Sequence, residues 1–467
     1  MEFGKKLAAT KTPIPGMLLF DLPVHGDNRG WFKENWQREK MLALGLPDFN
    51  PVQNNISFND KAGTTRGIHA EPWDKFVSVA TGRIFGAWVD LRDGPSFGSV
   101  FTAELDAGKA IFIPRGVANS YQTLEDNTSY VYLVSDHWSP DAEYTFLNLA
   151  DETVSIKWPI PLDQAELSEK DRAHPRLASV KPMTPKRTLI LGADGQLGKA
   201  LRATYSGDAS IEFADRGDFD LLDPASFRSR AWQKYSTIIN AAAYTNVDAA
   251  ETEDGRHAAW ALNVTAVAEL AKIAVAAGIV LVQVSSDYVF DGTRPSHDES
   301  EGLAPLGVYA QTKAAADAVV GVLPRHYIIR TSWVIGEGPN FVRTMASLAE
   351  KGITPTVVND QVGRLTFAED LAAGIKHLLD TQAPYGTYNL TNDGAPQSWA
   401  DVAGDVFELS GADRHDVTGV STEQYFKAKE GAPRPLNSVL VLDKIIEAGF
   451  LPAPASQRLR EYVRPKG

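Results

Sequence analysis

The sequence of 467 residues contains no cysteine. That absence removes disulfides, thiolate metal sites and cysteine nucleophiles together, and it fits a reducing compartment. No run of lysine or arginine occurs, and the formal net charge is -13. A surface of that sign repels phosphate backbones and anionic lipid, so neither nucleic acid nor membrane is an expected partner. An anionic substrate must then be gripped by single Arg or Lys side chains or by backbone amides. Met1 to Thr12 holds no apolar core of signal-peptide length, and no stretch approaches the ~20 apolar residues of a bilayer span. The cytoplasm is the expected location. A repeat of fixed period and low-complexity tracts are also missing, so the two halves are unlike each other rather than duplicated.

What is present is an ordinary globular composition, 43% hydrophobic and 22% charged, in a chain too long for one core. From Ile14 to about Pro161 short apolar or alternating runs are broken by turn residues, as in Lys75 to Val79, Ile84 to Val89 and Ser129 to Val134. Such spacing predicts an antiparallel barrel or sandwich. Between Ser168 and Arg187 the pattern turns to charges and prolines, with His174-Pro175, Lys181-Pro182 and Pro185, and reads as a linker. After it strand and helix alternate: Thr188 to Leu191, then Leu197 to Thr204; Thr237 to Asn240, then Asp248 to Ala277; Ile279 to Val284; His326 to Arg330. That grammar specifies a parallel sheet covered by helices. The expected organisation is a β domain over residues 1–167, a Pro-rich linker over 168–186 and an α/β domain over 187–467.

In the second half, Gly192-Ala193-Asp194-Gly195-Gln196-Leu197-Gly198 follows the first strand and opens a helix. There glycines let backbone amides and a helix N-terminus approach a pyrophosphate, which a side chain would hold away. About twenty residues on, Asp215 suits an adenosine ribose whereas Arg216 suits a 2'-phosphate, leaving NADH and NADPH both open. Tyr309 and Lys313 are four residues apart, one turn of a helix, on one face. An ammonium beside the phenol lowers its pKa and makes it a usable proton donor and acceptor. Ser285-Ser286-Asp287 ends the preceding strand, where open parallel sheets hold their sites. Ser286, Tyr309 and Lys313 facing a nicotinamide suit carbonyl reduction.

In the first half, Asp27 to Glu34, Gln53 to Ser57 and Thr65 to His69 mix charge and amide groups with aromatics where a barrel interior lies. The mixture suits a polar, negatively charged ligand. His69 is the natural general base, with Lys75 placed to stabilise an enolate. A metal site is the competing reading. His69-Ala70-Glu71 has no second histidine nearby, and only His25, His137 and His174 remain in this half, so no metal is expected.

The motifs carry two resemblances. Residues 187 to 465 resemble the extended short-chain dehydrogenase/reductases, and among them the dTDP-4-dehydrorhamnose reductases. The matches are Leu191 to Gly198, Ile239 to Asp248, Asp287 to Gly292, Arg330 to Val334 and Arg434 to Ser438. The resemblance implies a Rossmann-type doubly wound sheet with a small substrate-binding C-terminal part, and a Ser286/Tyr309/Lys313 trio in which threonine is commoner at the first position. It also implies cofactor contacts from Asp220, Ala241 and Ala242, and a sugar pocket lined by Val247, Tyr288 and Trp333.

Residues 13 to 183 resemble the dTDP-4-dehydrorhamnose 3,5-epimerases, cupin-like jelly rolls that need no cofactor and pair as dimers. Asp27 to Phe32, Gln53 to Ser57, Arg66 to His69, Val89 to Arg92, Ser96 to Gly98 and Ile113 to Ala118 carry the match. It implies His69 as base, Asp151 as the carboxylate orienting it and Tyr132 as acid on the opposite sugar face. Arg29 and Arg66 would grip the diphosphate, and Phe32, Glu34, Gln53 and Asn55 would reach nucleotide or sugar. Asn119, where the family often has histidine, and His137-Trp138, where it has tyrosines, depart from the pattern; Trp138 can still stack on a thymine. Together the halves imply a homodimer acting on a dTDP-linked 4-keto-6-deoxy sugar, first epimerised and then reduced with NADPH or NADH. A nucleotide-sugar epimerase or dehydratase with bound cofactor, or a non-catalytic sensor, stands as the alternative.

Overall fold

The computed structural model describes residues 3–137, 139, 142–427 and 431–464. The chain forms two compact units, Met1–Pro185 and Lys186–Gly467.

In the first unit, β-rich runs pair entirely antiparallel into two sheets. One has the order Ala8–Lys11, Leu18–Asp21, Lys109–Ile113, Lys75–Thr81, Thr128–Val134, Gln53–Asn59. The other runs Thr145–Phe146, Thr65–Ala70, Val117–Thr123, Ile84–Asp90, Val100–Leu105. Inward residues of both sheets, among them Val77, Val79, Ile111 and Tyr130 from the first and Ile84, Trp88 and Tyr121 from the second, bury a common core. Gly67 has φ +127, and a Cβ there would lie 2.4 Å from Ser120 Cβ, so only glycine lets these two strands come this close beside His69.

The stretch 168–186 read as a linker is packed structure instead. Ser168 caps the short helix Glu169–Arg172, and Leu177, Val180 and Met183 bury against Leu147, Leu149 and Leu91. Its charges and prolines are real, but every few residues one apolar side chain returns to the sheet, too sparsely for a periodic signal.

In the second unit, six strands run parallel in the order Ile211–Ala214, Arg187–Leu191, Tyr235–Asn240, Val280–Ser286, His326–Thr331, Gly386–Asn389. The first strand in sequence is flanked by the second and third, which places the switch point of a doubly wound sheet at its carboxyl end. Leu270, Ala274, Ala316 and Val320 cover one face; Leu197, Leu201, Leu371 and Ile375 cover the other. A smaller cluster, built on helices Phe341–Glu350, Trp399–Leu409 and Ala455–Val463, forms the C-terminal part. The continuous helical run 253–277 has the length and hydropathy of a membrane span, contrary to the sequence reading. Val267, Leu270, Ala271 and Ala274 on it are buried in the core of this unit, as in a core helix.

Candidate active sites

In the first unit strand alternation sends His69, from one sheet, and Lys75 and Tyr132, from the other, toward the space between them. His69 Nε2 lies 2.9 Å from Asp171 Oδ1. Burial acts to raise Asp171, but the hydrogen bond and charge of His69, with Ser168 Oγ and the Gly67 amide, hold its carboxyl below the usual range. Asp151, expected in this role, is elsewhere. Its carboxylate accepts from the amides of Thr153, Val154 and Leu177 at 2.9, 3.0 and 2.7 Å. Burial opposes its charge, and those amides outweigh it. Asp151 ties the 176–180 segment down; Asp171, on that segment's preceding turn, is the partner of His69.

Buried Lys75 donates to Glu71 Oε1 at 2.5 Å and stands 4.7 Å above the Tyr132 ring. Burial raises the Tyr132 phenol, helped by the Glu71 charge and opposed by Arg66, so it is protonated at neutral pH. Asn55 is paired directly across from Tyr132, and Gln53 Nε2 donates to Asn55 Oδ1 at 2.8 Å, so both amides share its face. Arg66 Nε donates to Asn59 Oδ1 at 3.2 Å. Asn119 holds the barrel core together, since its Oδ1 accepts from Trp88 Nε1 and the Tyr130 hydroxyl at 3.1 and 2.9 Å. Arg29, Phe32 and Glu34 sit on an exposed hairpin, Val24–Asp27 with Gly30–Lys33, or just past it. Arg29 pairs with Asp27 and Glu34 with Lys40, and neither contact leads to His69. Trp138 lies outside the described residues.

His174 is also beside this site. Its ring stacks on Phe146 at 4.8 Å and meets His69 edge-on at 5.2 Å. Burial, with the His69 charge, pushes it below the usual imidazole range. In sequence His174 is remote from His69, and the Ser168-x-x-Asp171 capping pattern is the one local sign of ordered structure there.

In the second unit the turn after strand Arg187–Leu191 brings Gly192 and Gly198 together. A Cβ on Gly192, at φ +77, would lie 2.7 Å from the Ala242 amide nitrogen, and one on Gly198 would lie 2.2 Å from the Gly192 carbonyl. The turn therefore opens helix Gln196–Thr204 against the Ala241-Ala242 strand end, a cradle whose fit to a dinucleotide pyrophosphate rests on those two crowded positions. Asp194 and Gly195 are exposed on it, Leu197 is buried beneath it, and Gln196 Oε1 accepts from Gly336 N at 2.7 Å. Asp215 Oδ1 accepts from Gly217 and Asp218 amides at 2.6 and 3.1 Å. Arg216 is exposed and 3.5 Å from Asp220.

Ser286 and Asp287 end strand Val280–Ser286, and helix Val308–Val320 carries Tyr309 and Lys313 past them. Tyr309 lies near enough to Ser286 for that hydroxyl to act on its phenol, and it meets Tyr288 edge-on at 5.8 Å. The expected lowering of Tyr309 by Lys313 does not hold. Lys313 Nζ donates to the Val284 carbonyl at 2.7 Å, and burial pushes the phenol up to about 12. The same burial brings Lys313 down to about 8, against the pull of Asp317. Asp287, whose Oδ1 accepts from Ser286 at 2.8 Å, is pushed up to about 6 by burial.

Beyond Tyr288 opens a cavity of about 620 Å³ lined by Asp248, Gln361, Phe341, Trp399, Phe426 and Arg434, among others. Arg434 Nη2 donates to both carboxylate oxygens of Asp248, at 2.8 and 2.9 Å, and both residues line the cavity. Val247 is half-buried beside Asp248. Trp333, expected on the wall, stands behind it at φ +46 and stacks on Trp399 at 3.8 Å. Trp399 is the lining residue, and no local motif marked it. Asn263, in a π-helical turn, was also missed. Its Oδ1 accepts from Tyr244 N at 2.8 Å and its Nδ2 donates to Thr312 Oγ1 at 3.0 Å, stapling helix Val308–Val320 to the loop after strand Tyr235–Asn240.

A base, a carboxylate and a phenol between two antiparallel sheets, followed by a Ser/Tyr/Lys site on a doubly wound sheet, define a two-unit sugar-nucleotide enzyme of isomerase and short-chain reductase classes. Residues 11–179 match the dTDP-4-dehydrorhamnose 3,5-epimerase family and residues 186–465 the RmlD substrate binding domain family; the chain belongs to both, one per unit. A Streptococcus pyogenes protein described as an RmlC homolog is 52% identical over 192 residues, 39% of this chain and 96% of the relative. The dTDP-4-dehydrorhamnose reductase of Streptomyces griseus is 37% identical over 284 residues, 58% of this chain and 91% of the relative. The crystal structure of dTDP-4-dehydrorhamnose reductase from Bacillus anthracis in complex with NADP superposes with TM-score 0.55 at 33% identity, covering 60% of this chain and 98% of that one.

Proposed function

We propose that the chain converts dTDP-4-keto-6-deoxyglucose to dTDP-L-rhamnose by two consecutive reactions at the same carbonyl. The observation that carries this is the opposition of His69, bonded to Asp171, and Tyr132 across the two sheets of the first unit. A C4 ketone acidifies the hydrogens on C3 and C5. His69 takes one proton at a time and gives it up to solvent, from which Tyr132 is reprotonated, between the two inversions. Asp171 fixes the ring and steadies the imidazolium, and Lys75 faces the growing enolate charge. Tyr132, kept protonated by burial, returns a proton from the other side, so both centres invert while the ketone survives. Arg66 from the sheet of His69, with Gln53 and Asn55 from the sheet of Tyr132, position the nucleotide sugar.

The second unit then receives the ketone at Tyr309. NADPH or NADH supplies hydride to C4 when bound on the Gly192–Gly198 cradle; the NADP in the Bacillus anthracis relative and the exposed Arg216 at the ribose turn favour NADPH. Tyr309 gives its proton to the carbonyl oxygen as the alkoxide forms, Ser286 holds that phenol in line, and Lys313 keeps a positive charge one turn away. Asp248, Tyr288, Trp399 and Arg434 hold the sugar nucleotide. Exposed Phe32, Ile56 and Phe58 support a homodimer through the first unit, and the cytoplasm is the compartment that supplies both substrates.

Incubation with dTDP-4-keto-6-deoxyglucose in deuterated water, with and without NADPH, tests the reading. Deuterium enters C3 and C5 without NADPH, and NADPH is consumed only when it is added. Absence of deuterium would remove the epimerase, and incorporation without NADPH oxidation would leave an isomerase alone.

A further inference from the structure

One buried imidazole beside the first site lacks a well-formed hydrogen bond. His174 is 8% exposed, and neither of its ring nitrogens makes a hydrogen bond of good geometry, the Leu147 backbone being only loosely placed for one. Its Nε2 lies 3.9 Å from Asp171 Oδ1, which in turn lies 2.9 Å from His69 Nε2. One donor atom from each of these three side chains lies within 4.8 Å of the other two. Nothing in the epimerisation steps above uses His174, and ring stacking alone does not require two nitrogens without well-formed bonds.

We propose that His69, Asp171 and His174 form a site for a divalent transition-metal ion, Zn²⁺ foremost, whose filling reversibly arrests the epimerase. Two imidazoles and a carboxylate, with water in the fourth place, are a set that zinc takes tetrahedrally. Donors about 2.0–2.2 Å from zinc at tetrahedral corners stand roughly 3.3–3.5 Å apart. The observed 2.9 and 3.9 Å separations bracket that spacing, and the third pair, within 4.8 Å, closes on it by a shift of at most about 1.5 Å. Imidazole donors select against Mg²⁺ and Ca²⁺, which prefer oxygen.

The arrest follows from proton bookkeeping. A neutral imidazole carries one proton. When zinc takes the Nε2 lone pair of His69, that proton resides on Nδ1, and no nitrogen is left to accept one from the sugar. No redox change and no covalent step are involved, so removing the ion restores the base. This arrest rests on the reading of His69 as base; the binding site itself does not.

The test titrates the metal-free full chain with ZnCl₂ by calorimetry while deuterium exchange into the keto sugar is followed without NADPH. One ion per chain binds, exchange falls at least roughly tenfold at saturation, and a chelator restores it. NADPH oxidation on already epimerised substrate stays unchanged in the same samples, because it reports the other unit. His174→Phe keeps the stacking ring and drops both nitrogens; it weakens zinc binding at least roughly tenfold and leaves zinc-free exchange in place. If that variant misfolds by circular dichroism, His174→Leu and the visible spectrum of the Co²⁺-loaded wild type replace it, a tetrahedral N₂O spectrum being expected. Absence of stoichiometric binding, equal binding by the His174 variants, or saturation without loss of exchange would each overturn the proposal. His69→Ala separates the two readings: exchange retained in zinc-free buffer removes His69 as base, whereas exchange lost there with a zinc-insensitive wild type removes only the metal site.

Discussion

Two carboxylates, both almost fully buried, divide their work by what they accept. Asp151 takes three backbone amides, and Asp171 takes the His69 ring. Asp171→Asn can no longer accept the ring proton in the same way, and deuterium exchange is expected to fall on the order of 10²-fold or more with little change in unfolding midpoint. Asp151→Asn leaves three amides facing a weaker acceptor. It should lower stability by about 1–3 kcal/mol in urea titration while folded protein keeps its exchange rate. In the reductase site the depressed Lys313 sets a second expectation. With its pKa at about 8, the ammonium is lost as pH rises above that value, so kcat/KM for reduction should fall above pH 8 with a limb absent from deuterium exchange in the same chain. The stability sign is opposite. Between about 8 and the ordinary 10.5 the folded chain binds fewer protons at Lys313 than the unfolded one, so this group's share of stability rises with pH across that window. Thermal unfolding of Lys313→Met against wild type between pH 7 and pH 10 measures it.

At the scale of elements, residues grouped by local geometry were legible and residues grouped by long returns of the chain were not. His69 is marked by its local motif and Tyr132 by the family resemblance, and strand alternation turns both toward the space between the sheets. Helical spacing puts Tyr309 and Lys313 on one helix, although Lys313 bonds the Val284 carbonyl. Asp171 reaches His69 from 102 residues away, inside a stretch whose prolines and charges read as linker. Arg434 reaches Asp248 from 186 residues away, and Trp399 enters the cavity from a helix with no motif of its own. The exposed hairpin stands apart from both groups: its Arg29, Phe32 and Glu34 matched a family pattern, and within one chain Arg29 pairs with Asp27 and Glu34 with Lys40. Packing of 168–185 onto the first unit gives a direct check. A fragment ending at residue 185 should exchange deuterium, whereas one ending at 167 lacks Asp171 and uncovers Leu147 and Leu149; it should be inactive and bind a hydrophobic dye.

For the whole molecule, each unit has its own core and its own complete set of acid and base groups, so the two reactions should be separable by single substitutions. His69→Ala is expected to abolish deuterium entry and to leave reduction of pre-epimerised ketone at wild-type rate. Tyr309→Phe should keep exchange intact and cut reduction by about 10²–10⁴-fold, the usual worth of a positioned proton donor. On the proposed reaction the ketone that leaves the first site still carries its diphosphate and its carbonyl, so a chain active only in epimerisation should be able to feed one active only in reduction. An equimolar mixture of the two variants should therefore form dTDP-L-rhamnose, with a lag that shortens as total enzyme rises. A mixture that forms none, while each variant keeps its own half-reaction, would mean that the intermediate has to be processed within one chain.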